Sequence, residues 1–180
     1  MKFDSTKHRR SIRVHGFDYS QSGGYFVTIV TRQRECLFGE IVNGEMLLSD
    51  CGKIAEECWC AIPEHFPNVE LGAYVIMPNH MHGIVIIQDN LNSYVGAQHA
   101  APLQHNVPPH SLGAIIRSFK SAVTKQINEI NNTSGMSIWQ RNYYEHIIRD
   151  ADDYNRVHLY IESNPLHWQT DEENPVKIGG

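Results

Sequence analysis

Two runs rich in β-branched and apolar residues, 69–77 and 80–88, are separated by Pro78 and Asn79 alone. A connection this short joins antiparallel strands, because parallel neighbours need a crossover of a dozen or more residues. The pair therefore commits the chain to an antiparallel sheet. Within the second run, Ile84-Val85-Ile86-Ile87 is apolar on both faces. That is the pattern of a central strand covered on both sides.

The remaining elements arrange themselves around this pair. Residues 24–31 are rich in β-branched and aromatic side chains and predict a strand. Residues 41–48 predict a small hairpin, because Asn43-Gly44 tolerates the positive φ of a type I′ turn. A helix follows, capped by Ser49 or Asp50, with Ile54, Cys58, Ala61 and Ile62 as its apolar stripe. Pro63 and Pro67 mark its end. A long helix is predicted over 111–131, with Leu112, Ile115, Ile116, Phe119, Val123, Ile127 and Ile130 on its buried side. Residues 143–149 predict a fourth strand. Asp150 can cap a last helix that Pro165 ends, since the residue before a proline avoids helical backbone. The order predicts an α+β fold: an antiparallel sheet with packed helices, in the ferredoxin-like or RRM-like split βαβ arrangement. A single domain is expected over 1–168, with a loop insertion at 89–110 and a loose polar tail at 169–180.

The 180 residues can build one hydrophobic core. No apolar run reaches the ~20 residues of a membrane span. The first residues lack the apolar segment of a secretory signal, so the expected location is cytoplasmic. Cys36, Cys51, Cys58 and Cys60 form no Cys-x-x-Cys pair. The formal net charge of −5 counts against nucleic-acid binding, but the charge is unevenly spread. Lys2, Lys7, Arg9, Arg10 and Arg13 stand against Asp4 in the N-terminal arm. Such an arm on an acidic body can follow a phosphate backbone.

Chemistry concentrates in two places. In Met77-Pro78-Asn79-His80-Met81-His82-Gly83, a strand projects His80 and His82 to one face, because side chains alternate with period two. Two imidazoles on one face can share a metal ion, although zinc suits such a pair as well as other divalent cations. In the last helix, Tyr160 and Asn164 are four residues apart and stack on one flank of the Tyr154, Val157 and Ile161 stripe.

Taken together, these motifs resemble the HUH single-tyrosine transposases. Trp139-Gln140-Arg141-Asn142-Tyr143-Tyr144-Glu145-His146-Ile147-Ile148-Arg149 and Tyr160-Ile161-x-x-Asn164-Pro165 resemble the REP-associated tyrosine transposase branch. So do Arg9-Arg10-Ser11-Ile12-Arg13 and Tyr25-Phe26-Val27-Thr28-Ile29. The resemblance covers about residues 9–168. It implies the HUH nuclease fold, His80, His82 and Asn164 as metal ligands, and Tyr160 as nucleophile. It further implies Mg²⁺ or Mn²⁺ as cofactor and a 5′-phosphotyrosine intermediate. The expected partner is single-stranded DNA carrying a hairpin or palindromic repeat, bound by a monomer or a homodimer. Tyr143 and Tyr144 are rival nucleophiles by sequence. Arg9, Arg10, Arg13, Arg117, Lys120 and Arg141 are the expected DNA-backbone contacts. The competing readings are a non-cleaving DNA-binding regulator of the same fold and a metal-dependent hydrolase of a small substrate.

Overall fold

The computed structural model describes residues 22–89 and 110–175. The arm with Arg9, Arg10 and Arg13, and most of the insertion expected at 89–110, lie outside the described residues.

Four strands form an antiparallel sheet: β1 (Gly23–Val30), β4 (Val69–Met77), β5 (His80–Ile87) and β6 (Tyr144–Ile148), in the order β4-β5-β1-β6. The hairpin of β2 (Gly39–Val42) and β3 (Glu45–Leu48) stands apart as a two-stranded sheet. Its turn residues Asn43 and Gly44 have φ of 53° and 83°, as the Asn-Gly pair predicts. The helices are α1 (Asp50–Cys60), the single turn α2 (Ile62–His65), α3 (Leu112–Ile130) and α4 (Ala151–Ser163). The fold class is thus the predicted α+β arrangement. Among the described residues no helix is long and apolar enough to cross a membrane.

Local chemistry sets the helix starts. The hydroxyls of Ser49 and Ser111 accept from the backbone N–H groups of Gly52 and Ala114, and the Asp150 carboxylate accepts from that of Asp153. Each satisfies a donor that a first helical turn leaves without an intrahelical partner.

The sheet separates two clusters of different depth. On one face α1 and α3 cover Tyr25, Val27, Ile29, Met81, Val85 and Ile87 with Trp59, Ile116, Phe119, Val123 and Ile127. On the other, α4 lays Val157 and Ile161 against Phe26 and Ile84. Two sequence expectations need correction here. Ile130 is 51% exposed and does not belong to the buried stripe of α3. It is the last residue of the helix, where the chain turns away through Asn132 at φ 51°. The deepest residues of α1 are Ala55 and Trp59, with Ile54 and Cys58 only partly buried beside them. The indole packs against Gly83 of β5, where a Cβ would stand 2.3 Å from a ring carbon. Only glycine leaves that slot open.

The tail is the third correction. Through residue 175 the chain does not loosen after Pro165: residues Asn164–Thr170 continue as a 3-10 helix, and Glu173 and Asn174 are buried. The Arg34 guanidinium holds the Glu173 carboxylate at 2.9 Å, and the Asn79 amide donates to the Glu173 carbonyl at 2.6 Å. The tail thereby folds back over the end of β5 that carries the histidines.

Candidate active site

The period of β5 does what its sequence predicts. Met81 and Gly83 face Trp59 and the large core, while His80 and His82 face α4. Both imidazoles are buried, and their Nε2 atoms lie 3.1 Å apart. Their other nitrogens are occupied: His80 Nδ1 lies 2.8 Å from Asn79 Oδ1, and His82 Nδ1 lies 2.8 Å from Thr28 Oγ1.

Asn79 settles a tautomer. Its amide nitrogen donates to the carbonyls of Arg34 and Glu173, so its oxygen must accept the remaining bond. His80 therefore carries its proton on Nδ1 and presents a lone pair at Nε2. This is the arrangement in which an imidazole, held by a partner behind it, offers a nitrogen to a metal.

Helix α4 supplies the other half of the site. Tyr160 reaches His82 Nε2 with its hydroxyl at 3.4 Å, and its ring meets the His82 ring at a centroid distance of 5.1 Å. Phe26 wedges beneath both, 5.4 Å from His82 and 5.9 Å from Tyr160. Burial pushes the phenol up to about 12, the Asp171 carboxylate adds to the shift, and the Asn164 amide opposes it. Left alone, the tyrosine is a neutral phenol at physiological pH and a poor nucleophile. Asn164, one turn later, is 3% exposed, and its Oδ1 has no hydrogen-bond partner among the described residues. A buried amide oxygen left this way calls for a donor or a cation.

The residues fit a divalent cation. Two imidazole nitrogens converge, an amide oxygen lacks a partner, and Asp171 brings a carboxylate oxygen to 4.0 Å from His80 Nε2. His80, His82 and Asp171 place one ligand atom each within 4.8 Å of one another. Asp171 escaped the sequence reading, because it sits in a polar segment without periodicity. The signal that could have found it is the acidic run Asp171-Glu172-Glu173 following a helix that already carries Tyr160 and Asn164.

Of the rival tyrosines, Tyr144 shares the site face, with its ring 6.2 Å from Phe26. Tyr143 lies on the opposite side of β6, against the large core. Arg117, Lys120 and Arg141 come together, but beside α3 and away from the histidines. Lys120 Nζ donates to the carbonyls of Gln140 at 2.6 Å and Arg141 at 3.4 Å. Burial pulls its ammonium down to about 8.

Helix α4 is clamped to the sheet by a third network. Asp153 is 4% exposed and accepts from His146 of β6, from the Arg149 backbone and from Arg156. Burial alone would raise this carboxyl. The hydrogen bonds from Arg156, His146 and Arg149 outweigh it and hold the group at about 2.

With this sheet, histidine pair and helix tyrosine in place, the chain is similar to REP-associated tyrosine transposases in fold and in sequence. The solved structure of one such transposase, bound to a REP hairpin, superposes with a TM-score of 0.55. The match covers 89% of this chain and 73% of that one at 21% identity, a likeness of fold. A protein of Haemophilus influenzae named "Putative REP-associated tyrosine transposase" is 27% identical over 153 residues, 83% of this chain and 73% of its own length. A second protein of the same organism, named "Uncharacterized protein", is 41% identical over 168 residues, 92% of each chain. The chain belongs to the family of that second protein. No protein-family model matches it.

Proposed function

We propose that this protein is a metal-dependent strand transferase that cuts single-stranded DNA through Tyr160. The observation that carries the reading is the Tyr160 hydroxyl 3.4 Å from His82 Nε2, which itself lies 3.1 Å from His80 Nε2. The buried Oδ1 of Asn164, one helical turn after Tyr160, supports it.

His80, His82 and Asn164 would hold Mg²⁺ or Mn²⁺, with Asp171 close enough to join them. A bound divalent cation withdraws charge from phosphate oxygens and makes phosphorus easier to attack. Both imidazoles would offer their Nε2 lone pairs to the cation, so its binding would be favoured where neither nitrogen carries a proton. Phe26 and α4 fix the tyrosine ring, so its hydroxyl is aimed rather than searching. Tyr160 Oη forms a bond to phosphorus and the P–O3′ bond breaks. The phenol loses one proton and the departing 3′ oxygen gains one. The 5′-phosphotyrosine keeps the phosphodiester energy, and a 3′-hydroxyl can reverse the step without ATP.

The DNA is proposed to be single-stranded at the cut, because a flexible strand can bring a phosphate to the half-exposed Tyr160 at the rim of the buried histidines. A hairpin beside the cut follows from the likeness to the transposase solved with its REP hairpin. Arg9, Arg10 and Arg13, with Arg117, Lys120 and Arg141, are proposed as backbone contacts.

A hairpin-bearing single-stranded oligonucleotide incubated with Mn²⁺ should yield a denaturant-resistant protein–DNA adduct. Tyr160→Phe removes one oxygen, should bind the same DNA with unchanged affinity and should give no adduct at any metal concentration. His80→Ala should lose most of the adduct and regain part of it at high Mn²⁺. An adduct at wild-type yield from Tyr160→Phe would contradict the assignment.

A further inference from the structure

Two adjoining hollows of about 450 and 470 Å³ lie on the α3 side of the molecule and share Arg117, Lys120 and Arg141 as walls. The second extends past Thr124, Lys125 and Trp139. Arg117, Lys120, Lys125 and Arg141 line this groove, with Lys125 paired to Glu129 at 3.9 Å, in a chain whose formal net charge is −5. Arg117 and Arg141 make no side-chain ion pair among the described residues. Lys120 is fixed differently: two backbone carbonyls anchor its ammonium at the junction of the hollows. Holding a lysine in place in a partly desolvated wall costs stability that a purely solvated charge would not. Such a groove attracts anions strongly, because its low-dielectric walls focus the field.

The groove is next to the metal face across one strand edge. β6 ends the sheet, Tyr143 lines the groove, and Tyr144 turns to the other face toward Phe26. Tyr160, Phe26 and Tyr144 make a line of rings from His82 to that edge.

We infer that the Arg117–Lys120–Arg141 groove binds the phosphodiester backbone of the DNA strand after it leaves the metal face and passes over the edge of β6. This rests on the reading of the metal face as a DNA-cleaving site. The exposed ring of Tyr144 gives a base a stacking surface at the crossing point, and the two hollows take successive phosphates beyond it. The groove sets how much single strand must accompany the cut, while His80, His82 and Tyr160 set where the cut falls.

The test uses the full chain carrying Tyr160→Phe, so that binding is read without cleavage. Fluorescence anisotropy follows a hairpin oligonucleotide with a long or a short single-stranded extension across a salt series. Arg117→Glu with Arg141→Glu should weaken binding of the long extension by tenfold or more and leave the short one unchanged. The slope of log affinity against log salt should fall by about 1.4, at ~0.7 per lost single-strand phosphate contact. The milder Arg141→Gln should shift both readouts the same way by about half. Mn²⁺ titration by calorimetry should be unchanged in each variant, which shows that the metal face is intact. Equal binding and equal slope in variant and parent overturn the inference. Poly-aspartate competing as well as the oligonucleotide overturns the nucleic-acid assignment. Adduct formation by the Tyr160-containing parent reports separately on the cleavage reading: an adduct with no groove effect sinks the groove alone, and a groove effect with no adduct sinks the cleavage reading alone.

Discussion

The two faces of one sheet differ in what they bury. Under α1 and α3 the strands meet Trp59, Ile116, Phe119, Val123 and Ile127 in a thick apolar layer. Under α4 the buried cluster is Phe26, Ile84, Val157 and Ile161, and the same face also buries Thr28, His80 and His82. Strand β5 belongs to both, sending Met81, Gly83 and Val85 one way and His80, His82 and Ile84 the other. The histidine geometry is held by strand backbone whose apolar side chains pack on the opposite face of the sheet. The thick layer fixes the backbone, which frees the thin one to carry polar groups that would weaken a sole core.

Trp59→Ala should break this division most strongly. It removes a fully buried indole from the thick layer and should cost about 3–5 kcal/mol in a urea titration. The fraction still folded should keep its Mn²⁺ affinity. A parallel loss of affinity would mean that the faces are not separable.

On the thin face, Asn79→Ala takes away the acceptor that fixes the His80 tautomer. Metal affinity by calorimetry should fall about 10- to 100-fold, the usual range for losing an outer-shell partner. Unchanged affinity would show that packing alone orients His80.

Asp153→Asn should loosen the clamp between α4 and β6. The folded carboxyl is held at about 2, below its ordinary value of 3.8. Its stabilisation is therefore present above about pH 4 and lost as the pH falls through about 2. It is about 2 kcal/mol at pH 7. Denaturation at several pH values should show a wild-type advantage that is constant from pH 7 to 5 and narrows below 4. A gap independent of pH would assign the effect to shape instead of charge.

Asp171→Asn should have the smallest effect. At 4.0 Å from His80 Nε2 the carboxylate acts on a bound cation mainly through its charge. Weaker Mn²⁺ binding is expected, by a smaller factor than for His80→Ala, because the carboxylate would act on a bound cation through its charge and not through a ligand bond. A loss as large as that of His80→Ala would make Asp171 a full ligand.

Legibility followed the range of the interactions. The histidine pair could be read because a strand has period two, and Tyr160 with Asn164 because four residues make about one helical turn. Both are local rules. The burial of Trp59 depends on Gly83, which the fold brings to α1 from another strand. The placement of Asp171 depends on Glu173 reaching Asn79 and Arg34, 94 and 139 positions away. A polar tail without periodicity carries no mark of such partners. The groove was half legible: Arg117 and Lys120 lie three apart off the stripe of α3, but the segment that brings Arg141 to them is placed by tertiary packing.

The most direct test of the central claim is to digest the protein–DNA adduct and locate the bound nucleotide by mass spectrometry. The wild-type chain is incubated with a hairpin-bearing single strand and Mn²⁺, with an EDTA-treated sample beside it. A nucleotide 5′-phosphate is expected on the peptide containing Tyr160, and none in the EDTA sample. A phosphate carried by Tyr143 or Tyr144, or one formed equally well in EDTA, would contradict it.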